Sequence, residues 1–225
     1  MERYRPSPLS YPAYEMGVKS LFKEVERISS TWTHGSLDLD SAKIRHNVTL
    51  NSLGPYGADY FLYKHLTSAL ESLRGFIFSD TRPLIYGEGV TQIFNEVDSA
   101  TISDRNNKLH AELISALSHF NINFLHEDLE LSPSWLSPKV QQTIRILQEH
   151  KSPTFHCIVF VEQRQIASAL SWLLMRHPST KGWVRSAVIT GHGGVSGTDA
   201  VGMTDRGQKL VVKKFRDGEL NLCEI

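Results

Sequence analysis

From Ser137 onward the sequence alternates between two patterns that few folds accommodate together. Phe155 to Val161, "FHCIVFV", is a near-continuous apolar run, and Gln165 to Arg176 places Ile166, Ala169, Leu170 and Leu173 on one side of a helix. A second apolar run follows, "WVRSAVIT", then a stretch from Thr204 with Gln208, Val211, Val212 and Phe215 on one helical face, then a third run, "LNLCEI". Strands alternating with helices in this rhythm read as parallel strands joined by helical crossovers. Continuous rather than alternating apolar residues in "CIVFV" predict a strand buried on both faces. A sheet ending at "LNLCEI" predicts an exposed apolar edge.

The helix boundaries carry their own signals. Ser137-Pro138 offers a hydroxyl cap followed by proline at the first helical position, opening a helix with Val140, Ile144 and Leu147 on one face. His177-Pro178 stops the helix that begins near Gln165. Thr204 caps the last helix with Asp205 in its first turn, and Asp217-Gly218 ends it.

The first half reads differently. Met1 to Pro12 is rich in Pro and Ser and is expected to be extended. Val18, Leu21, Phe22, Val25 and Ile28 follow helical spacing, which "HGSLDLDS" breaks. Gly54-Pro55 reads as a turn into a long helix whose apolar face includes Phe61, Leu62, Leu66, Ala69, Leu70 and Leu73. "SDTRPLIYGEGV" reads as a loop, and Leu109, Leu113 and Leu117 mark a further helix. No convincing strand occurs between Tyr14 and Phe120. The organisation expected is therefore an extended segment over 1–13, an all-helical domain over 14–128, and an α/β part over 129–225.

Composition limits the function classes. The chain has 225 residues, with 24 Lys plus Arg balanced by 24 Asp plus Glu, so the overall basic footprint of many nucleic-acid binders is absent, although a local basic face is compatible with this balance. The two cysteines, Cys157 and Cys223, form no C-x-x-C pair, and neither a zinc knuckle nor a disulfide framework is supported. Ten scattered histidines include no H-E-x-x-H, so no metal ligands are assigned. Cys157 in an apolar strand is expected to lack the access a thiol nucleophile needs. The opening residues lack the apolar core of a signal peptide and no run approaches a membrane span, so no membrane association and an intracellular location, cytoplasmic or nuclear, are expected.

Ligands of parallel α/β sheets bind beyond the carboxyl ends of the strands. Here those ends carry Glu162-Gln163-Arg164 and Thr190-Gly191-His192-Gly193. "TGHGGVSG" invites a phosphate-binding reading, because glycine lets backbone N–H groups approach an anion. Yet Ser196 stands where G-x-G-x-x-G needs its last glycine, and G-x-x-x-x-G-K-[ST] occurs nowhere. A flexible surface turn is the simpler reading of the loop on spacing alone. Arg164 could meet a phosphate through its planar fork or be a solvated first-turn residue. Gln208 could bond a ligand or sit at the polar rim of an apolar stripe. Lys213, Lys214 and Arg216 suit a helix C-terminus as well as they suit RNA. No catalytic residues are assigned.

Three stretches carry a family resemblance. "CIVFVEQRQIASAL", "VITGHGG" and "MTDRGQKLVVKKFRDGELNL" resemble, in order and spacing, the second RecA-like lobe of the helicase region of Dicer-like proteins, the fungal ones especially, and more distantly the double-stranded-RNA sensor helicases of innate immunity. "SLGPYGADYF" resembles the helical domain that such proteins insert into that lobe. The resemblance implies an α/β fold made of a partial RecA-like parallel-sheet lobe preceded by an all-helical insertion. It implies that Glu162, Gln163, Arg164, Thr190, Gly191, His192, Gly193 and Gln208 lie on the RNA side, and that the insertion clamps duplex RNA. Contacts would then go to phosphates and 2′-hydroxyls, reading A-form shape rather than sequence.

For the complete parent, the resemblance implies ATP and Mg²⁺ as cofactors, a first helicase lobe and ribonuclease III domains as further parts, and a role in RNA silencing and antiviral defence. None of the P-loop, acidic box, arginine fingers or nuclease domains is found in these residues, so the chain is expected to be a fragment that binds no cofactor alone and has no activity of its own. The alternative from another class is a non-catalytic interaction protein derived from a helicase lobe. A small-molecule enzyme of nucleotide-binding fold is disfavoured by the lack of a complete cofactor fingerprint.

Overall fold

The computed structural model describes residues 11–30, 38–79, 104, 107–116, 133–191 and 203–225. Helix α1 (Pro12–Ser29) turns Val25 and Ile28 fully inward and half-buries Val18, Leu21 and Phe22, as the spacing predicts. Helix α2 (Leu39–Leu53) follows, capped by the Asp38 side chain, which accepts from the Ser41 N–H at 3.0 Å. Helix α3 (Pro55–Ser79) buries Phe61, Leu62, Leu66 and Ala69, while the Leu70 and Leu73 side chains lie outside the described residues. Helix α4 spans 107–116 and buries Leu109 and Leu113; Leu117 lies outside the described residues.

A single residue, Gly54, makes the corner between α2 and α3, with φ +88° and ψ −179°. A Cβ there would lie 2.6 Å from the Trp135 carbonyl oxygen and 2.8 Å from the Ser137 nitrogen. The corner is thus pressed against the short 3₁₀ turn Pro133–Trp135 and the residues leading into α5 (Pro138–Glu149). Ser137 joins the two: its N–H donates to Leu53 O at 3.0 Å and its hydroxyl to Ser52 O at 2.6 Å. The same hydroxyl oxygen accepts from the Val140 N–H at 3.2 Å, forming the cap expected for α5.

Strands β1 (Cys157–Val159), β2 (Ser186–Val188) and β3 (Leu222–Glu224) form a parallel sheet in the order β1-β3-β2. Leu222 faces Cys157 on one side and Ser186 on the other, and Glu224 faces Val159 and Val188. Buried Asn221 fixes this register. Its side-chain oxygen accepts from the Arg185 N–H at 2.8 Å, and its amide donates to Trp183 O at 2.8 Å.

The structure corrects two expectations about this sheet. "LNLCEI" is not an edge: β3 is the middle strand and all three of its residues are buried. β1 is not buried on both faces, since Ile158 is 46% and Phe160 78% exposed. Alternate residues of β1 point to opposite sides. Cys157 and Val159 face the core and their neighbours do not.

Helix α6 (Arg164–Arg176) is the shared centre of the molecule. Beyond the expected Ile166, Ala169, Leu170 and Leu173, it buries Ala167, Ser171, Trp172 and Leu174. The reason is a second packing surface: Tyr60 of α3 stacks on Trp172 with ring centroids 4.6 Å apart, so α6 is covered by the helices on one side and by the sheet on the other. One buried cluster runs from Val25 through Leu222. Helix α7 (Asp205–Arg216) is the contrast, with no fully buried residue.

A polar network fastens α1 to this core. The Tyr14 hydroxyl donates to Asp59 Oδ1 at 2.8 Å and lies 2.9 Å from His46 Nε2. The hydroxyl has one proton, so while Asp59 accepts it, His46 Nε2 is the donor to the Tyr14 oxygen. Burial raises the Asp59 pKa to about 6 against the opposing Tyr14 hydrogen bond. It lowers the His46 pKa to about 4. Tyr14→Phe leaves both groups short of a partner and is expected to lower stability by about 1–3 kcal/mol, measured as a shift in the denaturant midpoint.

Candidate nucleic-acid interface

The candidate residues sit where two chain segments leave the sheet. The parallel ladder runs on past β1, with the Val161 N–H donating to Ile225 O at 2.8 Å, and past β2, with the Ile189 N–H donating to Glu224 O at 2.8 Å. Glu162-Gln163-Arg164 and Thr190-Gly191 therefore emerge at the carboxyl end of the sheet, on either side of the end of β3. They line one cleft of about 130 Å³, together with Val161, Ala167, Ile189 and Ile225. The apolar lining residues had no motif to mark them in the sequence.

Arg164 is the first residue of α6, and its Nη2 donates to Gly191 O at 3.2 Å, linking the two strand ends directly. A cation at a helix N-terminus opposes the helix dipole, so the helix itself gains nothing from an arginine there. Gln163, the cap residue of α6, makes no side-chain capping bond, and its Oε1 accepts instead from Gln165 Nε2. Glu162 and Gly191 are exposed, whereas Gln163, Arg164 and Thr190 are half-buried.

Gln208 comes from α7. Its Nε2 donates to Thr190 O at 2.7 Å, and the Thr190 hydroxyl oxygen accepts from the Met203 N–H at 3.3 Å. Thr204 caps α7 as expected, accepting from the Gly207 N–H at 3.2 Å. Five of the eight candidates thus share the cleft and Gln208 is bonded to it through Thr190; His192 and Gly193 lie outside the described residues. Gln208 also borders a neighbouring hollow on α7 of about 470 Å³ that includes Lys209, Lys213 and Arg216.

Beneath the cleft lies a group that sequence reasoning missed. Glu224 is completely buried in the middle strand and contacts Ser186, whose hydroxyl is 2.7 and 2.6 Å from its two carboxylate oxygens. The Ser171 hydroxyl of α6 donates to Ser186 Oγ at 2.9 Å. Burial raises the Glu224 pKa to about 7 although Ser186 stabilises the anion. Burial and the nearby Glu224 raise both thiols, Cys157 in direction and Cys223 to about 11. Cys157 is only half-buried, so it has more access than expected, but its raised pKa disfavours the nucleophilic thiolate.

The volume of the cleft is below the roughly 300–1,000 Å³ of small-molecule sites, and among the described residues that line it Arg164 is the only cation. Among the described residues no three His, Cys, Asp or Glu side chains are grouped to hold a metal ion. Among them, too, no helix is long and apolar enough to cross a membrane.

No protein-family model matches the chain. A curated protein of Neurospora crassa, Dicer-like protein 2, is 27% identical over 172 residues, covering 76% of this chain and 9% of its own length. Dicer-like protein 2 of Aspergillus oryzae is 29% identical over 174 residues, covering 76% of this chain and 11% of its own. Dicer-like protein 1 of Chaetomium globosum is 36% identical over 100 residues, covering 43% of this chain and 6% of its own. The chain therefore spans about a tenth or less of the length of these relatives.

Proposed function

We propose, from the kinship of this chain with the fungal Dicer-like proteins, that it is the RNA-binding side of a duplex-RNA helicase module, the sheet corresponding to part of a RecA-like lobe and the N-terminal helices to its inserted clamp. The observation that carries this reading is the convergence of Glu162, Gln163, Arg164, Thr190 and Gly191 on one cleft at the carboxyl ends of parallel strands. Arg164 supplies a planar cation suited to a phosphate, and Thr190 supplies a hydroxyl suited to a phosphate or a 2′-hydroxyl. In the parent protein, RNA silencing and antiviral defence are the roles this module would serve. ATP and Mg²⁺ would be held by parts of the parent other than this cleft.

Titrating the chain with duplex RNA at several salt concentrations tests the proposal. Binding should weaken as salt rises, because phosphate contacts release counterions. Arg164→Ala should weaken binding and reduce the salt slope by about one contact's worth. Duplex RNA should stimulate no ATP hydrolysis by the chain alone. A second reading, a non-catalytic interaction module, draws on exposed Ile158 of β1 and Phe160 just beyond it. Absence of salt-dependent RNA binding would favour it.

A further inference from the structure

We propose that Gln208 is a positioning residue that, with Thr190, clamps the end of β2 to the start of α7, and that it acts on the cleft without touching the RNA; the affinity consequence rests on the RNA reading above. Gln208 does not line the cleft. It reaches the cleft through the Thr190 carbonyl, which accepts its Nε2 at 2.7 Å. The same threonine takes the Met203 N–H on its hydroxyl oxygen at 3.3 Å, so one residue of β2's exit holds two points of α7's entry.

These bonds matter because apolar packing does little at this place. No residue of α7 is fully buried, and Leu210 is 53% exposed. At its N-terminal end the helix is tied to the exit of β2 by the Met203 and Gln208 bonds, and at its other end Phe215 meets the His156 ring edge-on with centroids 5.2 Å apart. The clamp also sets polarity. Because the Thr190 hydroxyl accepts from Met203, its own proton is directed to another acceptor, which is the sense a phosphate oxygen requires. Arg164 fixes the next carbonyl, Gly191 O, from the α6 side. The first two loop residues are thereby held from two helices, and the faces they present to the cleft are set before any ligand arrives.

The test uses the full chain with Gln208→Ala, Gln208→Glu, Thr190→Val and Thr190→Ser. Amide exchange is measured at Gly191 and Met203 without RNA, and affinity is measured for a labelled duplex RNA of about 16 base pairs. Gln208→Ala and Thr190→Val should each speed exchange at Met203 and weaken RNA binding about fivefold, as expected for one net hydrogen bond. In amide exchange, Gln208→Glu, which lacks the N–H, should match Gln208→Ala, and Thr190→Ser, which keeps the hydroxyl acceptor, should restore slow exchange at Met203. The Gln208→Ala, Thr190→Val double variant should bind no worse than the weaker single one.

Unchanged exchange in Gln208→Ala overturns the clamp, as do losses of affinity that multiply in the double variant. If the unsubstituted chain binds no duplex RNA, the RNA reading fails, and the exchange measurement still decides the clamp.

Discussion

Gly54→Ala should cost the chain about 3–5 kcal/mol of stability. Two independent penalties act there. The backbone, at φ +88° and ψ −179°, lies in a region open essentially to glycine alone, and strain of that kind costs about 1–3 kcal/mol. The new Cβ would also lie 2.6 Å from Trp135 O and 2.8 Å from Ser137 N. Relieving that clash by moving 133–137 pulls on the Ser137 bonds to Leu53 O and Ser52 O, each worth about 1 kcal/mol net. Gly182, with φ +85° and nothing within 4 Å of its would-be Cβ, is the control. Gly182→Ala meets the conformational penalty without the clash and should cost about 1 kcal/mol. Urea denaturation of both variants decides the matter: equal midpoints would show that the corner does not bear on the 133–137 turn.

The second large effect is a stability that falls as pH rises from about 4.5 to about 7. Glu224 has a folded pKa of about 7 against 4.5 for the free side chain. The folded chain therefore holds this proton more tightly than the unfolded chain, and folding is favoured where the group is protonated in both. As pH rises through 4.5 the unfolded state ionises first, and stability declines until the folded group ionises near pH 7. Beyond that the full penalty, roughly 3 kcal/mol, is in place. Glu224→Gln keeps the shape without the ionisation. It should be about 2–3 kcal/mol more stable than the parent at pH 8, with the advantage gone below pH 5. The comparison isolates Glu224 from two other buried groups. Asp59, raised to about 6, contributes a slope of the same sign at lower pH, while His46, lowered to about 4, contributes the opposite one between 6.5 and 4. Parallel curves for variant and parent would rule Glu224 out as the source.

What the sequence revealed follows from which signals are local. The alternation of apolar runs and amphipathic helices, the Ser137 and Thr204 caps and the stop at His177-Pro178 are short-range features, and each appears where expected. Helix α2 went unseen although Asp38 and Ser41 mark its start. Its inward stripe, Leu39, Ala42, His46, Thr49, Leu50 and Leu53, places two polar residues where a hydrophobic pattern needs apolar ones. His46 is polar there because it answers Tyr14, which lies a helix away in the chain. The burial of α6 on two sides was equally hidden, since a one-face pattern does not announce that Trp172 meets Tyr60.

For the site, strand-end residues were legible because parallel sheets present their ligand side at one end. That rule places Arg164 beside Thr190 but says nothing of Gln208, whose bond to Thr190 depends on how α7 lies against β2. Glu224 was the least legible. A carboxylate in the last apolar run reads as a frayed end, and only the strand order puts it at the centre of the sheet.

That strand order bears on how the polypeptide is made. Among the described residues β1 and β2 share no ladder, and each pairs with the strand that follows both in the chain. During synthesis the earlier two strands and α6 leave the ribosome with nothing to zip them together, and the sheet closes only when its keystone emerges. Until then the nascent chain exposes the leucines of α6 that the finished sheet will cover, so a pause or break in translation just ahead of Asn221 would deliver a helix-rich, aggregation-prone intermediate to the cell's chaperones.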